Sequence, residues 1–324
     1  MSAQFPEEDG WIWKDGEFIP WGDARIHIMS HVIHYGSSVF EGIRCYSTPE
    51  GPAVLRLADH LQRFKNSAKI YRMELPYSTE ELAEVSLELI RRNGVEECYL
   101  RPLAIRGYGA AGLNPASSPI ETYMICWPWG AYLGAEALKK GVDVCVSSWQ
   151  RPAPNTFPTM AKAGGHYLNA QLMKMEAVTN GYAEAIALNT DGKVCEGSGQ
   201  NLFLVRKGTL VTPPIDGAML TGITRDCILT LAGELDIPMV MEEVPREALY
   251  IADELFFTGT AAEVSPIRSV DRVPVGGGEP GPIARRLQEE LLGLAKGERA
   301  DPYGWRTIVN ASEVSDATVE ARLT

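Results

Sequence analysis

Lys162 sits in the tract PTMAKAGGHYLNAQLMKMEA, Pro158 to Ala177, with Met160 and Ala161 before it and Ala163, Gly164 and Gly165 after it. Lysine is ordinarily a solvated surface residue, and small neighbours alone do not change that reading. Burial of the tract would. An ammonium stripped of water loses basicity, and its free amine becomes a nucleophile or proton carrier, the chemistry of a lysine that condenses with a carbonyl. If the carbonyl belongs to pyridoxal phosphate, such a lysine needs an acid for the pyridine nitrogen and a cradle for the phosphate. CEGSGQNLF offers Glu196 beside a tight glycine turn, although an ordinary loop carboxylate would look the same. LTGITRD offers the amides of Ile223 and Thr224 at a helix start, where unpaired N–H groups attract an anion, though a threonine there also serves as a plain cap. FFTGTAAE offers Gly259, Thr260 and Ala261 after a strand, an amide-rich turn that can gather round an anion or merely reverse the chain.

Other patterns invite different chemistry. GYGAAG, residues 107–112, fits GxGxxG and follows a strand-like run, as a nicotinamide-dependent oxidoreductase would require. Leu113-Asn114-Pro115 then supplies a turn where a helix must receive the pyrophosphate, so the segment reads as a glycine-rich loop. HIMSHVIH spaces His27, His31 and His34 so that a helix would align them, and a zinc site is conceivable. Histidines satisfied by packing fit the same context, which runs on into HYGSSVFEGIRCY, and no metal is expected. The cysteines at 45, 98, 126, 145, 195 and 227 form no CxxC or other metal-ligand spacing and read as reduced thiols.

The elements that must position these residues follow from periodicity. WIWKDGEFIPW reads as a hairpin turning at Asp-Gly. LADHLQRFKNSAKIY places Leu57, Leu61, Phe64, Ala68 and Tyr71 on one helical face, with Arg63 off that stripe and Asp59 near the start. ELAEVSLELIRRNG is a second amphipathic helix, stopped at Asn93-Gly94, before the strands CYLRPLAIR and ETYMICWPW. Pro128, Gly130 and Gly134 interrupt the pattern and mark a domain boundary, after which GVDVCVSSW begins afresh. A helix from near Tyr167 carries Leu168, Leu172, Met175 and Val178 in register and ends at Asn180-Gly181. Hairpins turn at Asp191-Gly192 and Lys207-Gly208, and TGITRDCILTLAGELDI is a further helix.

A chain of 324 residues is comfortable for two domains, and 45% hydrophobic with 22% charged residues is the balance of a globular protein. A net charge of -12 argues against a nucleic-acid partner. No apolar run is long enough to span a bilayer and the N-terminus has no secretory pattern, so a cytoplasmic protein is expected.

YGSSVFEGIRCY, KIYR, RPL, PWGAYLGAEAL, SSWQRPAPNTFPTMAKAGGHY, EGSGQNLF, GITRD and FTGTAAE follow in this order between Trp11 and about Trp305. Together they resemble the branched-chain amino acid aminotransferases, class IV aminotransferases of pyridoxal phosphate fold type IV. The resemblance implies an α/β (α+β) fold of two domains with the cofactor between them, and with the break at Pro128–Gly134 and the polar run ASEVSDATVEARLT the chain is expected to divide into a small domain over 1–128, a linker over 129–137, a large cofactor-binding domain over 138–305 and a mobile tail over 306–324. It implies reversible amino transfer between L-leucine, L-isoleucine or L-valine and 2-oxoglutarate, in a homodimer or a higher oligomer built from dimers. Lys162 would hold the cofactor as an internal aldimine and shuttle the substrate proton. Glu196 would pair with the pyridinium nitrogen and Tyr167 with the cofactor phenolate. Arg63, the amides of Ile223 and Thr224, and Thr260 would grip the phosphate, with Asn201 also at the cofactor.

Thr260, Ala261 and Tyr99 would bind the substrate carboxylate. Phe40, Tyr132 and Tyr167, with the partner's Tyr35 and the partner's Leu113, would select the side chain, and Arg101 would meet a second carboxylate. Gln200 departs from the glutamate that relatives often carry there, which puts only local hydrogen bonding in doubt. A D-amino acid aminotransferase and an aminodeoxychorismate lyase share the fold, and YGSSVFEGIR argues for the branched-chain group.

Overall fold

Asp15 and Gly16, at φ 45° and 102°, close a two-residue turn between Trp11–Lys14 and Glu17–Pro20, the left-handed geometry that an Asp-Gly pair allows. The structure is a computed structural model and describes residues 10–130, 134–215 and 217–309. The hairpin is one edge of a sheet whose order is Arg306–Ile308, Ala53–Leu55, Ile43–Tyr46, Cys98–Arg106, Ile120–Pro128, Trp11–Lys14, Glu17–Pro20, with Ser38–Phe40 also paired to Cys98–Arg106. Arg306–Ile308 returns to pair with Ala53–Leu55, so these residues belong to a sheet where the sequence reading began a tail. Residues from 310 on lie outside the described residues.

Helix α1 spans His31–Tyr35, α2 Leu57–Ile70 and α3 Thr79–Asn93. On α2 the expected stripe of Leu57, Leu61, Phe64 and Ala68 is buried, packing with Leu82, Leu89 and Ile90 of α3 against the first sheet. Ser78 starts α3 with a reciprocal capping box to Glu81, and Gly94 at φ 60° ends it.

The second sheet runs Met239–Met241, Thr209–Thr212, Asn201–Arg206, Glu254–Gly259, Glu263–Val270, Val142–Val146, Glu184–Leu188, Lys193–Gly197, Val244–Pro245, with Val273–Pro274 beside Glu263–Val270. Helix α4 spans Ala135–Lys140, α5 Tyr167–Thr179, α6 Ile223–Glu234 and α7 Pro282–Ala295. α6 and α7 pack Cys227, Ile228, Leu231, Ala284, Leu287 and Leu291 against Phe203 and Phe256 of the sheet. On α5 the expected register is reversed. Leu168, Leu172, Met175 and Val178 are exposed, while Ala170, Met173 and Ala177 face inward, Met173 and Ala177 against Ala185 and Ala187. Ala170 and Ala177 on that face leave room for Met173 to pack against the alanines of the strand.

Candidate active site

Between the two sheets lies a cavity of about 270 Å³. Phe40, Arg63, Tyr99 and Arg101 line it from the first sheet and its helices, and Lys162, Tyr167, Glu196, Asn201, Ile223, Thr224, Thr260 and Ala261 from the second half of the chain. The lysine tract is held by first-half elements: Lys162 O accepts from Phe40 N at 2.9 Å, Lys162 N donates to Ser67 Oγ at 2.9 Å, and Ala163 bridges to Val39. Gly164 is needed here, because a Cβ would strike Ser38 Oγ. Only the side chain of Lys162 is left to the cavity, where Nζ lies 2.6 Å from Tyr167 Oη and over the ring of Phe40.

Glu196 faces this amine from Lys193–Gly197 and is 4% exposed. Its Oε1 pairs with Arg151 Nη2 at 2.9 Å, and its Oε2 accepts two longer contacts of 3.4 Å, from Asn201 Nδ2 and Leu220 N. Burial pushes the carboxyl up from its ordinary range, while Arg151, the Leu220 amide and Lys162 pull it back. Oε2 therefore retains capacity for a further donor.

Arg63, off the apolar stripe of α2, reaches the cavity floor. Its Nε and Nη2 clasp Glu41 at 2.6 and 2.9 Å, and Nη1 donates to Thr221 O at 2.7 Å. Glu41 is fully buried and also accepts from His60 Nδ1 at 2.8 Å, which leaves His60 Nε2 facing Thr260 Oγ1 at 3.5 Å. Burial alone would raise the Glu41 carboxyl, but Arg63 and His60 hold it well below the usual range. Burial lowers His60 despite the pull of Glu41. Beside Arg63, α6 opens with no side-chain cap, so its first amides point free into the cavity, as a phosphate site requires. Gly222 precedes them because a Cβ would meet Asn201 Oδ1. The amides of Thr260, Ala261 and Ala262 likewise donate to no acceptor among the described residues.

Arg101 lies over three rings, Phe40 at 4.7 Å, Tyr99 at 5.4 Å and Trp127 at 5.6 Å, and no hydrogen bond or ion pair among the described residues holds its guanidinium. Tyr132 lies outside the described residues. Tyr35 and Leu113 do not line their own protomer's cavity: Tyr35 Oη accepts from Gly112 N, and Leu113 is 88% exposed at the tip of that loop. The loop GYGAAG is followed by no helix, so the dinucleotide pattern has no anion-binding terminus. His31 bridges Ser37 Oγ and Gly112 O, His34 meets Ile28 O, and His27 accepts from Met29 N. No metal-binding group of side chains exists among the described residues. Gln200 donates to Glu184 Oε2 at 3.1 Å and accepts from Gly199 N, which shapes the turn after Glu196. Glu41, His60 and Arg151 escaped the sequence reading. Glu41 and Arg151 resemble ordinary loop residues and His60 an ordinary helix residue until their distant partners are known.

Residues 38–270 match the amino-transferase class IV family model. The branched-chain-amino-acid aminotransferase of Escherichia coli (strain K12) is 50% identical over 301 residues, covering 93% of this chain and 97% of that protein. An Escherichia coli branched-chain amino acid aminotransferase crystal structure superposes with a TM-score of 0.91 at 50% identity, covering 93% of this chain and all of the other. The branched-chain aminotransferase of the thermophilic archaeon Thermoproteus uzoniensis, solved with norvaline, reaches a TM-score of 0.88 at 39% identity, covering 93% of this chain and 99% of the other. A further branched-chain amino acid aminotransferase, from T.th. and solved with pyridoxamine 5'-phosphate, has a TM-score of 0.91 at 47% identity over 95% of this chain and 100% of the other. The chain belongs to the class IV aminotransferases, in their branched-chain-amino-acid branch.

Proposed function

We propose that the protein is a cytoplasmic branched-chain amino acid aminotransferase that moves an amino group reversibly between L-leucine, L-isoleucine or L-valine and 2-oxoglutarate, with pyridoxal phosphate as resident cofactor. The observation that carries this reading is the convergence on one cavity of Lys162, Tyr167, Glu196, Arg63 and the uncapped start of α6. The donor set fits the cofactor chemically: an amine for the aldehyde, a phenol for the ring oxygen, an acceptor with spare capacity for the ring nitrogen, and free amides beside a guanidinium for the phosphate.

When bound, pyridoxal phosphate supplies an electron sink for negative charge developing at the substrate α-carbon. The protein's own groups do the rest. Lys162 Nζ carries the proton to and from that carbon, and Tyr167 orients the amine. Glu196, steadied by Arg151, keeps the ring nitrogen protonated. Arg63, clasped by Glu41, and the amides of Ile223 and Thr224 anchor the phosphate, with Asn201 and Thr260 alongside. The turn amides of Thr260 and Ala261, with Tyr99, take the substrate carboxylate. Phe40 and Tyr167 line the side-chain pocket, Arg101 supplies its cation, and Tyr132 joins them by resemblance alone. In a homodimer the partner's Tyr35 and the partner's Leu113 complete the pocket. The exposure of Leu113 at the tip of a hydrogen-bonded loop supports this.

Borohydride treatment of the holoenzyme followed by peptide mapping tests the assignment. The pyridoxyl group is expected on Lys162, and Lys162→Ala is expected to abolish turnover. A label on another lysine would overturn the site. An amino-donor panel with L and D acids separates this reading from a D-amino acid aminotransferase.

A further inference from the structure

Behind the turn that presents the Thr260, Ala261 and Ala262 amides sits a residue in an unusual backbone state. Glu263 has φ 55°, the left-handed region, and pairs across the hairpin with Gly259. Glycine or asparagine usually fills the left-handed position that closes such a short loop, because a side chain there costs backbone energy. Glu263 is only 7% exposed, and its carboxylate points away from the cavity into a polar cluster. Tyr46 Oη donates to its Oε1 at 3.1 Å, and Arg44 Nη2 lies 3.8 Å from the same oxygen. Both partners are fixed in turn. Arg44, 2% exposed, holds Glu97 Oε1 at 2.8 Å and Gly130 O at 3.0 Å, and Tyr46 stands on the same strand of the first sheet under the Arg44 guanidinium. A strained residue held this firmly beside a site is a pointer to function.

We propose that Glu263 is a positioning residue: tied to Tyr46 and Arg44 from behind, it holds the turn so that the Thr260–Ala262 amides face the cavity and receive the α-carboxylate of the substrate. The strain is located where the tether is. A glycine at 263 would relax the backbone but free the turn, whereas the glutamate fixes it to the opposite sheet. The tether thus links the first sheet to the anion-binding turn of the second. It rests on the reading that this turn binds the substrate carboxylate.

The test uses holoenzyme and two ligands of the same shape, 4-methylpentanoate and its neutral amide, titrated by cofactor absorption. Wild type is expected to prefer the acid by about tenfold or more, the scale of a charge-assisted hydrogen bond. Tyr46→Phe and Glu263→Gly are expected to weaken acid binding by about tenfold, to change amide binding by less than about twofold, and to weaken pyridoxal phosphate, which Thr260 shares with Arg63 and the start of α6, far less than they weaken the acid. Glu263→Gln, which can still accept from Tyr46, is expected to stay nearer wild type. If wild type shows no preference for the acid, the carboxylate assignment of the turn fails. If wild type shows it and both tether variants keep it, the positioning role of Glu263 is overturned. It is also overturned if acid, amide and cofactor affinity all fall together. Tyr46→Phe removes a single hydroxyl and reads the tether even if Glu263→Gly fails to fold.

Discussion

At Arg101 charge and surroundings pull in opposite directions. A guanidinium over three aromatic rings gains from their electron-rich faces, yet its Nε is buried without a hydrogen-bond partner among the described residues. On the proposed function, the partner it lacks is an anion that arrives with substrate. An ionised side-chain carboxylate in this pocket needs such a cation, whereas a leucine side chain needs only the rings. Arg101→Ala is therefore expected to lower half-reaction rates with glutamate and 2-oxoglutarate by about ten- to a thousandfold and those with leucine much less. Equal losses for both substrate classes would make Arg101 a support for its strand. Glu196 has the complementary character, a buried acid paired with Arg151. Glu196→Ala is expected to cut turnover far more than cofactor affinity, since on the proposed function a carboxylate against the ring nitrogen would act mainly as the substrate proton leaves. Stopped-flow half-reactions beside equilibrium titration separate the two quantities.

Among the elements, the uncapped start of α6 is the backbone terminus proposed to bind the phosphate. It is shaped by Gly222, whose bare Cα lets Asn201 reach both Leu220 O and Glu196. Gly222→Ala would push a methyl onto Asn201 Oδ1 and shift both the helix start and the Glu196 contact. Pyridoxal phosphate affinity is expected to fall by about tenfold or more, with about 1–3 kcal/mol of overpacking cost in the apoprotein. Fluorescence titration and urea unfolding check the pair. Elements of this kind were legible because their signals are local: Asp-Gly turns, the period of α2, the Asn93-Gly94 stop of α3 and the glycine-rich punctuation around Lys162 all lie within a few residues. The face of α5 was not. Its bulky set, Leu168, Leu172, Met175 and Val178, carries the stronger hydrophobic signal, but the face turned to the Glu184–Leu188 strand is that of Met173 flanked by Ala170 and Ala177. Glu41 and Arg63 stand 22 residues apart, and Arg151 reaches Glu196 across a loop. No local pattern announces such pairs, because each depends on which elements the fold brings together.

For the molecule as a whole, the buried groups around the cavity set the response to acid. His166 accepts a 2.7 Å hydrogen bond from Tyr71 Oη through Nε2, and burial together with Arg151 lowers it to about 4. An unfolded histidine titrates near 6.5, so between about pH 6.5 and 4 the unfolded chain binds a proton that the folded chain refuses. Stability from His166 is complete above that window and is lost as pH falls through it. His60 is lowered as well and adds in the same sense. Glu41 acts further down. Held below the usual carboxylate range by Arg63 and His60, it contributes fully above about pH 4.3, where an unfolded glutamate titrates, and loses that contribution as pH falls toward its folded value. These three slopes have one sign, while Glu196, pushed up by burial, opposes them in the carboxylate range, and the acid limb should begin near neutrality, where the two histidines act. Urea unfolding of the apoprotein, free of linkage to cofactor binding, is expected to show midpoints falling steadily from about pH 7.5 downward. His166→Gln, which can still accept from Tyr71 but takes no proton, should flatten the upper part of the limb by close to one proton and leave the lower part intact. An unchanged slope in that variant would mean that His166 titrates alike in both states and that the acid response originates elsewhere.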